Sequence, residues 1–329
     1  MKNSLYPFLS GIIDYAGLYP PASLSLQNSF KKYTDHTTSE QSWMLSKFVV
    51  GTNLLQELSG FINNSDKSPD PFLITLVGAP SDDLASFKTV ISNLAEQVLD
   101  VIHSSEKKIT ISTLEIKMPV NIDYSIDSTE FQEAMRFSVD QMNTDPELPH
   151  QIFFEIPGFD FKPERVKSLT GAICSHNNLL EERSLENYSF SGFKIRCGGV
   201  EAFQFPPVGY LAYAISEAAK CNTPVKFTAG LHHPVRHYNE TVSTKMHGFL
   251  NVFGAALLYY SKGLDETELA EILSDENPKN FSFSETEFRW KGHSVQKEEI
   301  HMLRTLSVTS FGSCSFDEPV EDLQELNLI

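Results

Sequence analysis

The sequence predicts an α/β chain folded as a closed (β/α)8 barrel of the TIM type, with residues 275–329 as a C-terminal extension that completes the barrel. Two observations carry this. Short apolar, strand-like segments alternate with longer helical ones, the pattern of a parallel sheet covered by helices. The alternation runs through seven β/α steps toward an eighth, and closure at eight strands is the usual end of such a series. An open doubly wound sheet is the alternative. It is weakened because no GxGxxG fingerprint follows the first strand, and no cofactor is implied. Residues 1–329 read as a single barrel domain.

The elements follow in order. FLSGIIDY (8–15) is the first strand candidate, with a helix from Ser25 to His36 behind it. WMLSKFVV (43–50) and NLLQELSGFI (53–62) form the second step. FLITLVG (72–78) precedes SDDLASFKTVISNLAEQVLDVI (81–102), a helix opened by Ser and Asp caps. ITISTLEIKMP (109–119) leads to STEFQEAMRFSVDQM (128–142), and QIFFEIPG (151–158) to PERVKSLTGAI (163–173). GFKIRCGG (192–199) leads to PPVGYLAYAISEAAK (206–220), and PVKFTAG (224–230) to HGFLNVFGAALLYY (247–260), whose apolar residues have helical spacing. FSFSETEFRW (281–290) alternates like a hairpin, and VQKEEIHMLRTL (295–306) reads as helix. FGSCSF (311–316) is the expected last strand, and DEPVEDLQEL a terminal helix.

Composition narrows the function. Asp and Glu number 43 against 26 Lys and Arg, a formal net charge of -17. Phosphate contacts need clustered cations, so nucleic acid and anionic membranes are excluded as partners. No apolar run reaches the roughly 18 residues of a membrane span, and the N-terminal run ending at Asp14 is too short for a signal peptide. The four cysteines, Cys174, Cys197, Cys221 and Cys314, form no CxxC pair. They read as free thiols in a cytoplasmic protein. The sequence sets no oligomeric state.

Charge on the strands locates the chemistry. Side chains alternate along a strand, and in a barrel one set faces the axis. Alternation puts Lys194 and Arg196 inward on the sixth strand and Lys226 on the seventh. It puts Glu115 and Lys117 inward on the fourth, Glu155 on the fifth and Asp14 on the first. Buried charges are costly unless paired, so the set is either an internal salt-bridge network or an active site. A lysine amid cations has a lowered pKa and can attack a carbonyl as a neutral amine. Lys194, with Arg196 and Lys226 beside it, fits that role. His232 and His233 follow the seventh strand, at the barrel mouth, as candidate proton carriers. Gly198 and Gly199 follow the sixth, where backbone N–H groups can meet an anion. Metal binding by His232 with Asp14 or Glu155 has no HxH or HExxH spacing behind it, and no metal is assigned. Cys314, in GSCS, has no identifiable base and reads as a buried structural cysteine.

IDYAGLYPPA, FKIRCGG, KFTAGLHHPVRH, MHGFLNVF and SFGSCSFDEPV together resemble a family of uncharacterised bacterial proteins, a likeness that covers most of the chain and implies no activity. The run from EIKMP through FFEIPG and FKIRCGG to VKFTAGLHHP is similar in layout to deoxyribose-phosphate aldolase. That resemblance implies a Schiff-base lysine at Lys194 and a second, tuning lysine at Lys226. It breaks at Lys117, where the aldolase carries an aspartate, and at Arg196, where it carries a small residue. No sugar-phosphate loop is evident in the last strand.

The function expected is therefore an enzyme acting on a small, anionic carbonyl or carboxylate compound by lyase or aldolase-type chemistry. Lys194, Lys226, Glu155, His232 and His233 are the catalytic candidates. Arg196, Glu115, Lys117, Asp14, Gly198 and Gly199 are the substrate-binding candidates. The alternatives are a metal-dependent hydrolase or isomerase using Asp14, Glu155 and His232, and a non-catalytic barrel binding an anionic metabolite or a protein partner.

Overall fold

The computed structural model describes residues 3–125, 128–182 and 191–329. Eight parallel strands close into one barrel: β1 (Ile13–Tyr15), β2 (Leu45–Gly51), β3 (Phe72–Val77), β4 (Ile109–Lys117), β5 (Gln151–Glu155), β6 (Gly192–Arg196), β7 (Val225–Thr228) and β8 (Val308–Ser313). Each is followed by a helix: α1 (Leu26–His36), α2 (Leu55–Asn63), α3 (Leu84–Ser104), α4 (Thr129–Met142), α5 (Pro163–Glu182), α6 (Val208–Ala219), α7 (Phe249–Lys262) and α8 (Asp317–Glu325). The fold is a TIM-type barrel.

Local chemistry starts several of these helices. Asp83 accepts from the Ser86 backbone N–H at 2.8 Å while Ser86 returns a bond to the Asp83 N–H, which fixes the start of α3. Ser25 and Ser128 cap α1 and α4 in the simpler way. The main core lies between strands and helices, where Phe48, Phe72, Phe193 and Phe227 are fully shielded. Inside the barrel, Phe153 lies against Gly192 of the next strand, where a Cβ would stand 2.4 Å from the ring.

Two segments differ from the sequence reading. Residues 8–15 do not form one strand: Leu5–Leu9 is a helix, and β1 starts at Ile13. Leu5, Phe8 and Leu9 are buried at helical spacing, and Gly11 at φ 56 breaks the chain between the two elements. Buried Arg304 ties this helix under the barrel, donating to Phe8 O at 3.0 Å and Ser10 O at 3.2 Å. The last strand is Val308–Ser313, three residues earlier than FGSCSF. Its register with β1 pairs Phe311 with Ile13 and Ser313 with Tyr15, leaving Phe316 to cap α8.

Between α7 and β8 the chain adds a helix (Glu266–Ser274), a three-stranded antiparallel sheet (Phe281–Phe283, Glu287–Trp290, His293–Gln296) and a helix (Lys297–Leu306). A short hairpin, His237–Asn239 with Thr244–Met246, follows β7.

Cys174 of α5 and Cys221, just past α6, form a disulfide with a Cα–Cα distance of 5.6 Å. This corrects the reading of four free thiols: helices adjacent around the barrel bring together cysteines 47 residues apart. Disulfides persist in oxidising surroundings, so cysteine usage no longer argues for a cytoplasmic location. No helix among the described residues is long and apolar enough to cross a membrane.

Candidate active site

Register builds the site. Lys117 pairs with Glu155, Glu155 with Lys194, and Lys194 with Lys226 across β4, β5, β6 and β7. Four charged side chains thus stand on adjacent strands facing the axis. Glu115, two residues before Lys117, and Asp14 of β1 add two buried carboxylates.

Lys194 is the centre. Its Nζ lies 2.6 Å from Glu115 Oε2 and 2.8 Å from Glu155 Oε2. Glu155 Oε2 is close to the ammonium yet receives no well-aligned hydrogen bond. Arg196 Nε donates to Glu155 Oε1 at 3.1 Å and its Nη1 to Gly198 O at 3.3 Å. The guanidinium lies over the Phe159 ring, 5.4 Å from its centre.

Lys226 lies deeper and has no solvent exposure. It is ion-paired with Asp14, donates to Ser310 Oγ at 2.8 Å, and lies 3.5 Å from Glu115 Oε1. Asp14 also accepts from Thr75 Oγ1 at 3.0 Å, Ser310 Oγ at 3.1 Å and the Lys47 backbone N–H at 3.2 Å.

Burial by itself disfavours each charged form, and the pairs reverse it. Burial pushes the Glu155 carboxyl up, but Lys194, Arg196 and Lys117 outweigh it and bring it down to about 2. Burial likewise raises Asp14, and Lys226 and Lys47 pull it well below the usual carboxylate range. Burial lowers the Lys194 ammonium, but Glu115 and Glu155 outweigh it and hold it well above an ordinary lysine. This corrects the expectation that Arg196 and Lys226 depress Lys194. Glu155 and Glu115 contact the amine itself. It also makes Glu155 a weak base.

Lys117 behaves in the opposite way. Glu155 pulls its ammonium up, but burial, Arg196 and Lys194 prevail and hold it below the ordinary lysine value. Glu155, its neighbour in register, is engaged by Lys194 and Arg196. Among the described residues Lys117 forms no ion pair.

Lys117, Lys194, Arg196, Glu115 and Tyr19 line a cavity of about 280 Å³ at the C-terminal ends of the strands, the end where barrel enzymes place their chemistry. Tyr19, from the loop after β1, is kept protonated by burial and by Glu115. Sequence reasoning missed it because nothing local marks a loop tyrosine. Lys47, whose backbone binds Asp14, was within reach of the alternation argument applied to β2, where it shares a face with Val49.

The two histidines separate. His232 lines the cavity, with Nδ1 2.9 Å from Glu318 Oε2 and Nε2 3.9 Å from Cys314 Sγ. His233 is drawn away to Asp322, with Nδ1 2.6 Å from Oδ2, and does not line the lysine cavity. The backbone donors beyond the two glycines are engaged. Gln204 Oε1 accepts from the next two backbone groups, Val200 N–H at 2.6 Å and Glu201 N–H at 3.2 Å. Gly198 serves packing: a Cβ there would lie 2.9 Å from the Gly230 Cα. Gly199 borders the cavity.

Asp14 and Glu155 engage lysine and arginine, while His232 engages Glu318. Among the described residues no group of three His, Cys, Asp or Glu side chains is arranged to hold a metal ion. Comparison with known proteins returns no match to a family model, a curated protein or a solved structure.

Proposed function

We propose that the chain is a lyase of aldolase type acting on a small anionic carbonyl compound, with Lys117 as the reacting amine and Lys194 as a permanently charged partner. The observation that carries this is the contrast between the two lysines. Lys194 has a carboxylate at 2.6 Å and another at 2.8 Å. Lys117 faces the same cavity with its charge disfavoured. A neutral amine attacks a carbonyl; a doubly paired ammonium does not.

In this reading Arg196 binds the anionic end of the substrate through the donors it does not spend on Glu155 and Gly198. The Lys117 amine adds to the carbonyl carbon, and the carbinolamine oxygen takes a proton from solvent and leaves as water, giving a protonated imine. The substrate's β-hydroxyl then gives its proton to solvent as the Cα–Cβ bond breaks. The bond's electron pair forms the enamine C=C bond, the imine π pair moves to nitrogen, and an aldehyde departs. Tyr19 protonates the resulting enamine, and water releases the second product. The fixed positive charge of Lys194 adds to burial and Arg196 in disfavouring protonation of the Lys117 amine.

The aldolase-like layout of the sequence supports the reaction class but puts the reacting lysine on β6; the ion pairs favour β4. Borohydride reduction in the presence of small aldehydes, ketones and oxo acids, followed by peptide mapping, decides. The expected result is a reduced adduct on Lys117. An adduct on Lys194 restores the β6 assignment, and no adduct with any carbonyl compound overturns the Schiff-base reading.

A further inference from the structure

Cys314, His232 and Glu318 come from three separate elements. Cys314 follows β8 directly and continues the inward face of Ser310 and Gly312. His232 lies in the loop after β7. Glu318 lies in the first turn of α8. A carboxylate only accepts, so the 2.9 Å contact from Glu318 fixes the proton of a neutral His232 on Nδ1. The lone pair of Nε2 is then directed to the side where Cys314 Sγ stands at 3.9 Å. Nucleophile, base and orienting carboxylate are thus in sequence, the arrangement that activates a thiol.

The thiol also stands where a ligand can reach it. Besides the lysine cavity there is an outer cavity of about 480 Å³, walled on its apolar part by Leu24, Val242, Met246 and Phe316 and elsewhere by Lys32, His36 and Asp317. Gly199, Val200, His232 and Cys314 border both. Burial lowers the His232 imidazolium, but Cys314 and Glu318 outweigh it and bring it up to about 9, so a proton that the ring accepts is held. The other free cysteine, Cys197, is buried and its thiol is pushed up by burial.

We propose that Cys314, His232 and Glu318 form a second reactive site, an acyl-transfer centre for small esters or thioesters whose acyl chain lies against the apolar wall of the outer cavity. The thiol proton passes to His232 Nε2 as sulfur bonds to the acyl carbon. The tetrahedral adduct collapses, the leaving group takes the proton from Nε2, and an acyl-thioester remains. Water, deprotonated by the same nitrogen, hydrolyses it, so the net change is acyl–X plus water to carboxylic acid plus HX. The site does not rest on the lysine chemistry: its adduct forms on Cys314, the other on Lys117.

Two probes test it. Iodoacetamide at limiting concentration, read by peptide mapping from pH 5 to 9, is expected to label Cys314 at neutral pH about a hundredfold faster than His232→Asn allows. p-Nitrophenyl acetate is expected to acetylate Cys314, with ester turnover lost in Cys314→Ser and kept in Cys197→Ser. The wild-type labelling profile stands even if a variant fails to fold. A Cys314 rate that rises only with a single ionisation near the free-thiol value of about 8.5 overturns the proposal. So does acetylation of other residues in its place.

Discussion

Lys194 and Lys226 are neighbours in register on β6 and β7, yet Glu115 stands between their ammonium groups, 2.6 Å from one and 3.5 Å from the other. One carboxylate therefore couples the cavity floor to the deeper Asp14 pair. Removing a partner from such a network leaves a buried charge without its counterion, which costs more than the pair contributes. Lys226→Met is expected to destabilise the fold by about 3–5 kcal/mol. Asp14→Asn combined with it should recover a large part of that loss. Urea unfolding of the two single variants and the double variant measures the coupling, and additive losses would show that Asp14 and Lys226 act independently.

The pH dependence of stability has a definite sign at Glu155. Its carboxyl is brought from an ordinary glutamate value of 4.5 down to about 2 in the folded chain. Stability from this group is full above the unfolded value and is lost as pH falls through about 4.5 toward 2. Wild-type stability should drop steeply across that window. Glu155→Gln should be less stable at pH 7 and flatter between those limits. Urea midpoints taken through the window at constant ionic strength measure the difference. Equal slopes in the two proteins would mean that other carboxylates dominate.

The inward charges are legible in the sequence because alternation along a strand is a local property. Asp14, Glu115, Lys117, Glu155, Lys194, Arg196 and Lys226 all face the axis by that rule. Their pairing is not legible, because it joins distant parts of the chain: Lys226 and Asp14 are 212 residues apart. Strand order makes Arg196 and Lys226 the neighbours of Lys194, while the fold brings Glu155 and Glu115 to its amine. The base for Cys314 is hidden for the same reason, since His232 lies 82 residues away. The helix Leu5–Leu9 is misread because its apolar residues run into those of β1, and only the turn at Gly11 divides them.

The Cys174–Cys221 disulfide closes a loop between residues 47 apart. Loop-closure entropy for that length corresponds to about 4 kcal/mol. Adding a reductant should therefore lower the urea midpoint of the purified protein, and Cys221→Ser should show the lower midpoint without reductant. Peptide mapping under non-reducing conditions checks the pairing directly. Two free thiols at these positions in freshly isolated protein would place the chain in a reducing compartment.

The ends of β6 and β7 meet at Gly198 and Gly230. A Cβ on Gly198 would lie 2.5 Å from the Phe205 ring and 2.9 Å from the Gly230 Cα. The ring can turn, but the Gly230 backbone cannot yield without moving β7, whose next residues lead to His232. Gly198→Ala should cost about 1–3 kcal/mol through overpacking. Because the shift carries His232 with it, iodoacetamide labelling of Cys314 should slow in the same variant while Cys197 stays unreactive. A destabilised Gly198→Ala protein with unchanged Cys314 labelling would show that the β6–β7 contact supports the fold without positioning the histidine.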